Sequence, residues 1–196
     1  MMPLVYGALA CVQAGLALLL LSRKAWIPGI VGLGIAADSA IIALGAGESL
    51  NFVRFAAHAV LTPLLIGYVA MLHGVLVRTA WAVAAALIVF DTVGLADLRL
   101  EPRAWAGTLR YVSAESSPPV AALITTAALL AAGVATWRGY GSPWLFLSAL
   151  FLLVASGAGV VVPILGNLGE AVMLAGLWTA ATVSRHAAER KQRFNE

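Results

Sequence analysis

Seven apolar runs, each long enough to cross a bilayer, follow one another along this chain with short breaks between them. A spanning helix needs about 20 mostly apolar residues, because the hydrocarbon layer is about 30 Å thick and a helix rises 1.5 Å per residue. The runs are Pro3–Leu21, Trp26–Ala46, Phe52–Gly74, Thr79–Leu98, Pro118–Trp137, Pro143–Leu165 and Leu168–Ser184. The expected fold class is therefore an all-α membrane protein built as a seven-transmembrane-helix bundle. Composition agrees: with 62% hydrophobic and 11% charged residues, a water-soluble fold has no place to hide its apolar surface. The opening MMPLVYG has no basic residue and leads into a run too long for a signal peptide, so the first run is expected to remain as a helix.

Cytoplasmic loops retain Lys and Arg, which fixes the expected orientation. With the N-terminus outside, the inner face receives Arg23, Lys24, Arg78, Arg138, Arg185, Arg190, Lys191 and Arg193. The outer loops hold Arg99, Arg103 and Arg110 beside Glu48, Asp97, Glu101 and Glu115, and the C-terminus is cytoplasmic. Residues 1–185 form the helical domain, and 186–196 a cytoplasmic tail lying against anionic headgroups. The net charge of +3 is explained by this loop bias, so nucleic-acid binding is not expected. Cys11 stands alone in an apolar run and gives no disulfide framework.

Ionisable groups inside hydrocarbon are costly and by default face the bundle interior with a partner. Five fall there. Asp38 and Asp91 lie about halfway along the second and fourth helices, at an expected common depth. Arg54 and His58 stand one turn apart on one face of the third helix, and Thr62 continues the stripe. Glu170, near the outer end of the seventh helix, is level with Arg54, which makes an Arg54–Glu170 ion pair available as a structural lock. For the two aspartates and the histidine, an interhelical hydrogen bond and a proton-handling or ligand-binding role both stand open. His73 and His186 lie near the cytoplasmic interface and carry no expected role, and no His spacing suggests a metal site. Trp26, Trp81 and Trp137 sit at expected interfaces, whereas Trp178 and Tyr68 fall inside the bundle, where either a ligand pocket or the core would take them. Small-residue patterns at Gly32–Gly34, Gly157–Gly159 and Gly166–Gly169 suit close helix approach or turns.

The run RFAAHAVLTPLL, Arg54 to Leu65, resembles the third-helix signature of microbial rhodopsins, in which Arg and an aromatic precede a segment ending in Thr-Pro-Leu-Leu. Arg54, Phe55, Thr62, Pro63, Leu64 and Leu65 match it. Asp91 within ALIVFDTVG and the segment Gly157–Pro163 are weaker echoes, and Trp144 falls where that family's sixth-helix pocket Trp would be. The resemblance implies a microbial-rhodopsin-like bundle in a bacterial or archaeal plasma membrane. It also implies what is missing. The family carries retinal on a seventh-helix lysine, and GEAVMLAGLWTAATV has none; the lysines, Lys24 and Lys191, lie outside the spans. The family's third-helix counterion position is occupied by Ala57 and its pocket Trp position by His58. No covalent retinal, and no other cofactor, is expected.

The leading functional expectation is a sensor or carrier that binds a small apolar ligand, isoprenoid or lipid-like, without a covalent bond. The expected ligand-binding residues are Arg54, His58, Thr62, Asp38, Asp91, Trp178 and Glu170. The alternative is an intramembrane enzyme acting on a lipid or isoprenoid, with Asp38, Asp91 and His58 as acid–base candidates. Partners would be membrane lipid and, through the apolar outer faces, another copy of the chain.

Overall fold

The computed structural model describes residues 1–114 and 119–193. Each apolar run is a helix, because in lipid every backbone N–H must find its acceptor within its own segment. The helices are α1 (Met2–Ser22), α2 (Trp26–Ala43), α3 (Glu48–Leu61), α4 (Leu64–His73), α5 (Val77–Gly94), α6 (Val120–Tyr140), α7 (Trp144–Ala158) and α8 (Ile164–Arg193). α3 and α4 form one span, Glu48–His73, interrupted at Thr62–Pro63. Pro63 has no N–H to donate, and the chain crosses the gap with the tighter bonds Leu65 N to Thr62 O and Ile66 N to Pro63 O. Six of the spans are long and apolar enough to cross a membrane, and α7, with 15 residues, is the shorter seventh. The chain is an integral membrane protein.

Sequential helices pack as antiparallel neighbours, most closely α1 on α2 and α7 on α8. Glycines permit the approach. A Cβ on Gly32 would lie 2.9 Å from Ala17 Cβ, and one on Gly133 would lie 2.5 Å from Phe146 Cα. The principal core joins Leu20, Ile35, Leu65, Leu129, Leu152 and Leu174, among others, from six helices. α5 is attached differently. It docks through the small cluster Ile66, Ala84, Leu87 and Ala121, with the Trp81 ring lying where a side chain on Gly67 would be, and it barely touches α6.

One expected boundary is corrected. The sixth span, expected to reach Leu165, ends at Ala158, and α8 begins at Ile164. Val160, Val161 and Val162 raise the hydropathy of that stretch, yet Gly159 and Pro163 turn the chain there and leave Val160 86% exposed. The long connection that follows Leu98 holds an antiparallel hairpin of β1 (Leu100–Trp105) and β2 (Thr108–Ser113). Its turn, Ala106–Gly107, has φ of +49° and +82°, the pattern of a two-residue turn that matches strand twist. The hairpin rests on α2 and α3 and marks the bundle end at which α2 finishes and α3 and α8 begin. Glu115 lies outside the described residues. α8 runs on as helix to Arg193, through the first part of the segment 186–196.

Candidate functional site

Near the hairpin end, α1, α2, α3 and α8 bring together a set of polar side chains that the hydrocarbon around them cannot solvate. Asp38 on α2 is 4% exposed and is the hub. Arg54 on α3 donates from Nε to Asp38 Oδ1 at 2.5 Å and from Nη1 to Asn51 Oδ1 at 2.5 Å. Asn167 on α8 donates from Nδ2 to Asp38 Oδ2 at 2.6 Å and to Ser39 Oγ at 3.1 Å. Gln13 on α1 donates from Nε2 to the Asn167 carbonyl at 2.9 Å. Asn51 ties the arrangement to the α2–α3 turn by donating to the Ala46 and Gly47 carbonyls. Both oxygens of Asp38 are thus occupied by donors, and a charge that would be prohibitive alone is held as a paired, hydrogen-bonded one.

The expected Arg54–Glu170 pair is not formed; Arg54 takes Asp38. Rotation of α2 turns Asp38 inward beside Arg54, and Glu170 on α8 meets His58 instead. His58 Nε2 lies 3.4 Å from Asp38 Oδ1 and 4.0 Å from Glu170 Oε1, and its Nδ1 faces Thr62 Oγ1 at 3.5 Å. Glu170 Oε2 is buried and has no hydrogen-bond partner among the described residues.

Beside this network lies a cavity of about 980 Å³, walled by α2, α3, α4, α5, α6, α7 and α8. Most of its lining is apolar, including Ile35, Phe55, Phe90, Leu129, Leu152 and Met173. Arg54, His58, Thr62, Asp91 and Glu170 all contribute to the wall. Asp38 stands behind them, reaching the cavity through Arg54 and His58. Of the expected binding residues, six therefore belong to one place and Trp178 does not. Trp178 packs on the principal core, and its Nε1 has no partner among the described residues. Tyr68 packs on the same core. Trp144, first residue of α7, is 60% exposed at the end remote from the hairpin.

No family model matches this chain, and no curated protein does. What the site can do has to be argued from its chemistry.

Asp38, His58 and Glu170 each place a potential ligand atom within 4.8 Å of the others, a grouping capable of holding a cation. The Arg54 guanidinium already bonds Asp38 Oδ1, and Asn167 covers Oδ2. A metal would have to displace both donors and sit beside a permanent positive charge, so the residues fit an internal ion pair better than a metal. What remains available to a visitor is the His58–Glu170 pair, Asp91 and the apolar wall.

Four participants were not anticipated from the sequence: Gln13, Ser39, Asn51 and Asn167. Spacing held a signal for two of them. Asn51, Arg54 and His58 fall at i, i+3 and i+7 on one helix face, and Asn167 stands three residues before Glu170. His73, expected to be incidental, faces Thr136 Oγ1 at 3.2 Å and stacks on Tyr140 at a ring separation of 6.4 Å, linking α4 to α6. Above the network, Arg110 on β2 is half-buried, its Nε has no partner among the described residues, and burial lowers its pKa from the ordinary guanidinium value. Fully buried Tyr6 on α1 feels its charge.

Proposed function

We propose that this protein is a heptahelical, microbial-rhodopsin-like sensor or carrier of the plasma membrane that binds a small apolar or amphiphilic ligand, isoprenoid or lipid-like, without a covalent bond. The observation that carries this reading is the cavity: about 980 Å³ of mostly apolar wall, with Arg54, His58, Asp91 and Glu170 among its lining residues. A space of this size and lining is what small-molecule sites in proteins present, an apolar enclosure with a few placed polar groups. The third-helix run Arg54–Leu65 adds support, since Arg54, Phe55, Thr62 and Leu65 of that run all face the cavity. A covalent aldehyde adduct has no amine to form on, because Lys24 lies in the α1–α2 turn and Lys191 near the end of α8.

The test is retention. The purified protein is extracted with organic solvent and the extract examined by mass spectrometry for isoprenoid or lipid in stoichiometric amount. Ala122→Trp, which places an indole in the cavity from a position that is itself exposed, is the control. A stoichiometric ligand in the wild type that is lost in the variant is expected. Equal extracts from both proteins, with no thermal shift on adding isoprenoids or lipids, would sink the reading.

A second reading, an intramembrane enzyme acting on a lipid or isoprenoid, draws on the position of His58 between two carboxylates. An imidazole flanked by Asp38 and Glu170 and open to the cavity has the parts needed to pass a proton to or from a bound substrate. On that reading His58→Asn abolishes turnover while ligand retention survives; on the first reading no turnover exists to lose.

A further inference from the structure

The cavity wall is short of cations that are not already paired. Arg54 and Asp38 satisfy and neutralise one another, with Asn51 and Asn167 completing the bonds. His58 is the one remaining ionisable donor on the wall and has Glu170 facing it. On the acceptor side stand Glu170 Oε2, buried and unpartnered, and the Asp91 carboxylate, half-buried with no hydrogen bond or ion pair among the described residues. Thr125 Oγ1, which can donate as well as accept, lines the same cavity, has no partner among the described residues, and belongs to a residue only 1% exposed. Even with His58 protonated, pairing Asp38 with Arg54 and Glu170 with His58 leaves Asp91 uncompensated. Arg110, whose charge also reaches Asp38 and Arg54, sits in the hairpin and is not part of the wall.

Resting on the ligand-binding reading, we infer that the natural ligand is an amphiphile with a protonated amine head, its hydrocarbon chain lying along Leu129, Leu152 and Met173 and its head directed to Glu170 and Asp91. A primary ammonium is a compact cation with three donors and no acceptor, and it supplies the counterion that this wall lacks. An anionic head would meet two carboxylates, with Arg54 bonded to Asp38 and His58 held between Asp38 and Glu170. A long-chain alcohol would satisfy one acceptor and bring no counterion to either carboxyl.

The test compares three ligands that differ only in the head: dodecylamine, dodecanol and dodecanoate. Apparent Kd values come from ligand-dependent thermal shifts of the full chain in nanodiscs of uncharged phosphatidylcholine. The amine should bind at least about tenfold more tightly than the carboxylate, with the alcohol between them. Glu170→Gln and Asp91→Asn should each shrink the amine-to-carboxylate ratio several-fold while leaving the alcohol's Kd nearly unchanged, which a merely structural role would not do. A carboxylate or alcohol that binds as tightly as the amine, or a ratio that both variants leave intact, overturns the inference and leaves the cavity's role as a ligand site standing. Failure of all three ligands to shift the protein, with Ala122→Trp indistinguishable from the wild type, removes the binding reading itself.

Discussion

Asp38 and Asp91 are the same residue type in the same kind of helix, yet the structure gives them opposite surroundings. Asp38 is enclosed and accepts from Arg54 and Asn167; Asp91 lies on the cavity wall with no partner among the described residues. Removing the charge of Asp38 leaves the Arg54 guanidinium buried without its counterion, and breaking a buried pair from one side costs about 3–5 kcal/mol. Asp38→Asn should therefore lower the thermal midpoint sharply, whereas Asp91→Asn should leave it unchanged or raise it by relieving an unpaired group. Thermal denaturation of the purified variants, followed by loss of helical circular dichroism, checks the contrast. Equal losses would contradict it. The ionisable members of this network are legible in the sequence because charge in an apolar run stands out against the cost of burying it. Their partners are not. Gln13 and Asn167 are neutral amides whose cost in lipid is small enough for them to sit anywhere a bond can be found, and only the rotation of α1 and α8 shows that both turn toward Asp38.

Among elements, the number and order of the helices follow from hydropathy, and their faces do not. A lipid-facing Leu and a core Leu have the same chemistry, so no amphipathic stripe distinguishes the inner face of a spanning helix. Leu18 on α1 is 60% exposed and Leu20, two residues on, is fully buried. Glycines carry more of the information because they mark contact between backbones. Gly133 on α6 meets Phe146 through main-chain atoms, at 2.5 Å to Cα and 2.6 Å to N for an added Cβ, and a backbone cannot rotate away as a side chain can. Gly139 on the same helix has nothing within 4 Å of its would-be Cβ. Gly133→Ala should force α6 and α7 apart and destabilise the protein by about 1–3 kcal/mol, the usual cost of overpacking. Gly139→Ala should be neutral or stabilising by up to about 1 kcal/mol through helix propensity alone. Thermal midpoints of the two variants, measured in the same detergent, distinguish them. A destabilisation shared by both would mean that helix geometry, not the α6–α7 contact, sets the effect.

For the whole molecule, the least embedded span sits next to the cavity. α5 contributes Phe90, Asp91, Val93 and Gly94 to the wall, yet only Ala84 and Leu87 of its residues are buried, and it touches α6 over a short stretch. Phe90, Val89 and Val93 are more than 60% exposed, so the seam between α5 and α6 is apolar on its outer side. At the hairpin end, by contrast, β2 lies over α2 and α3 and adds Ser113 to the cavity wall. If the cavity binds the ligand proposed above, a molecule dissolved in the bilayer would have an apolar route between two loosely joined helices, while an approach from water would pass the hairpin. The prediction concerns Ala122, which lines the cavity on the α6 side of that seam. Cys11, the free thiol of the chain, is exposed on α1 and is first replaced by Ala. In the resulting background, Ala122→Cys should react with a lipid-soluble alkyl maleimide in liposomes and resist a charged, membrane-impermeant thiol reagent added from either side. Adding a cavity ligand should slow the lipid-soluble reaction, because the thiol and the ligand compete for one space. Rapid modification by the charged reagent would reverse the assignment: the cavity would then be continuous with water past the hairpin, and a route through lipid would have no part in loading it.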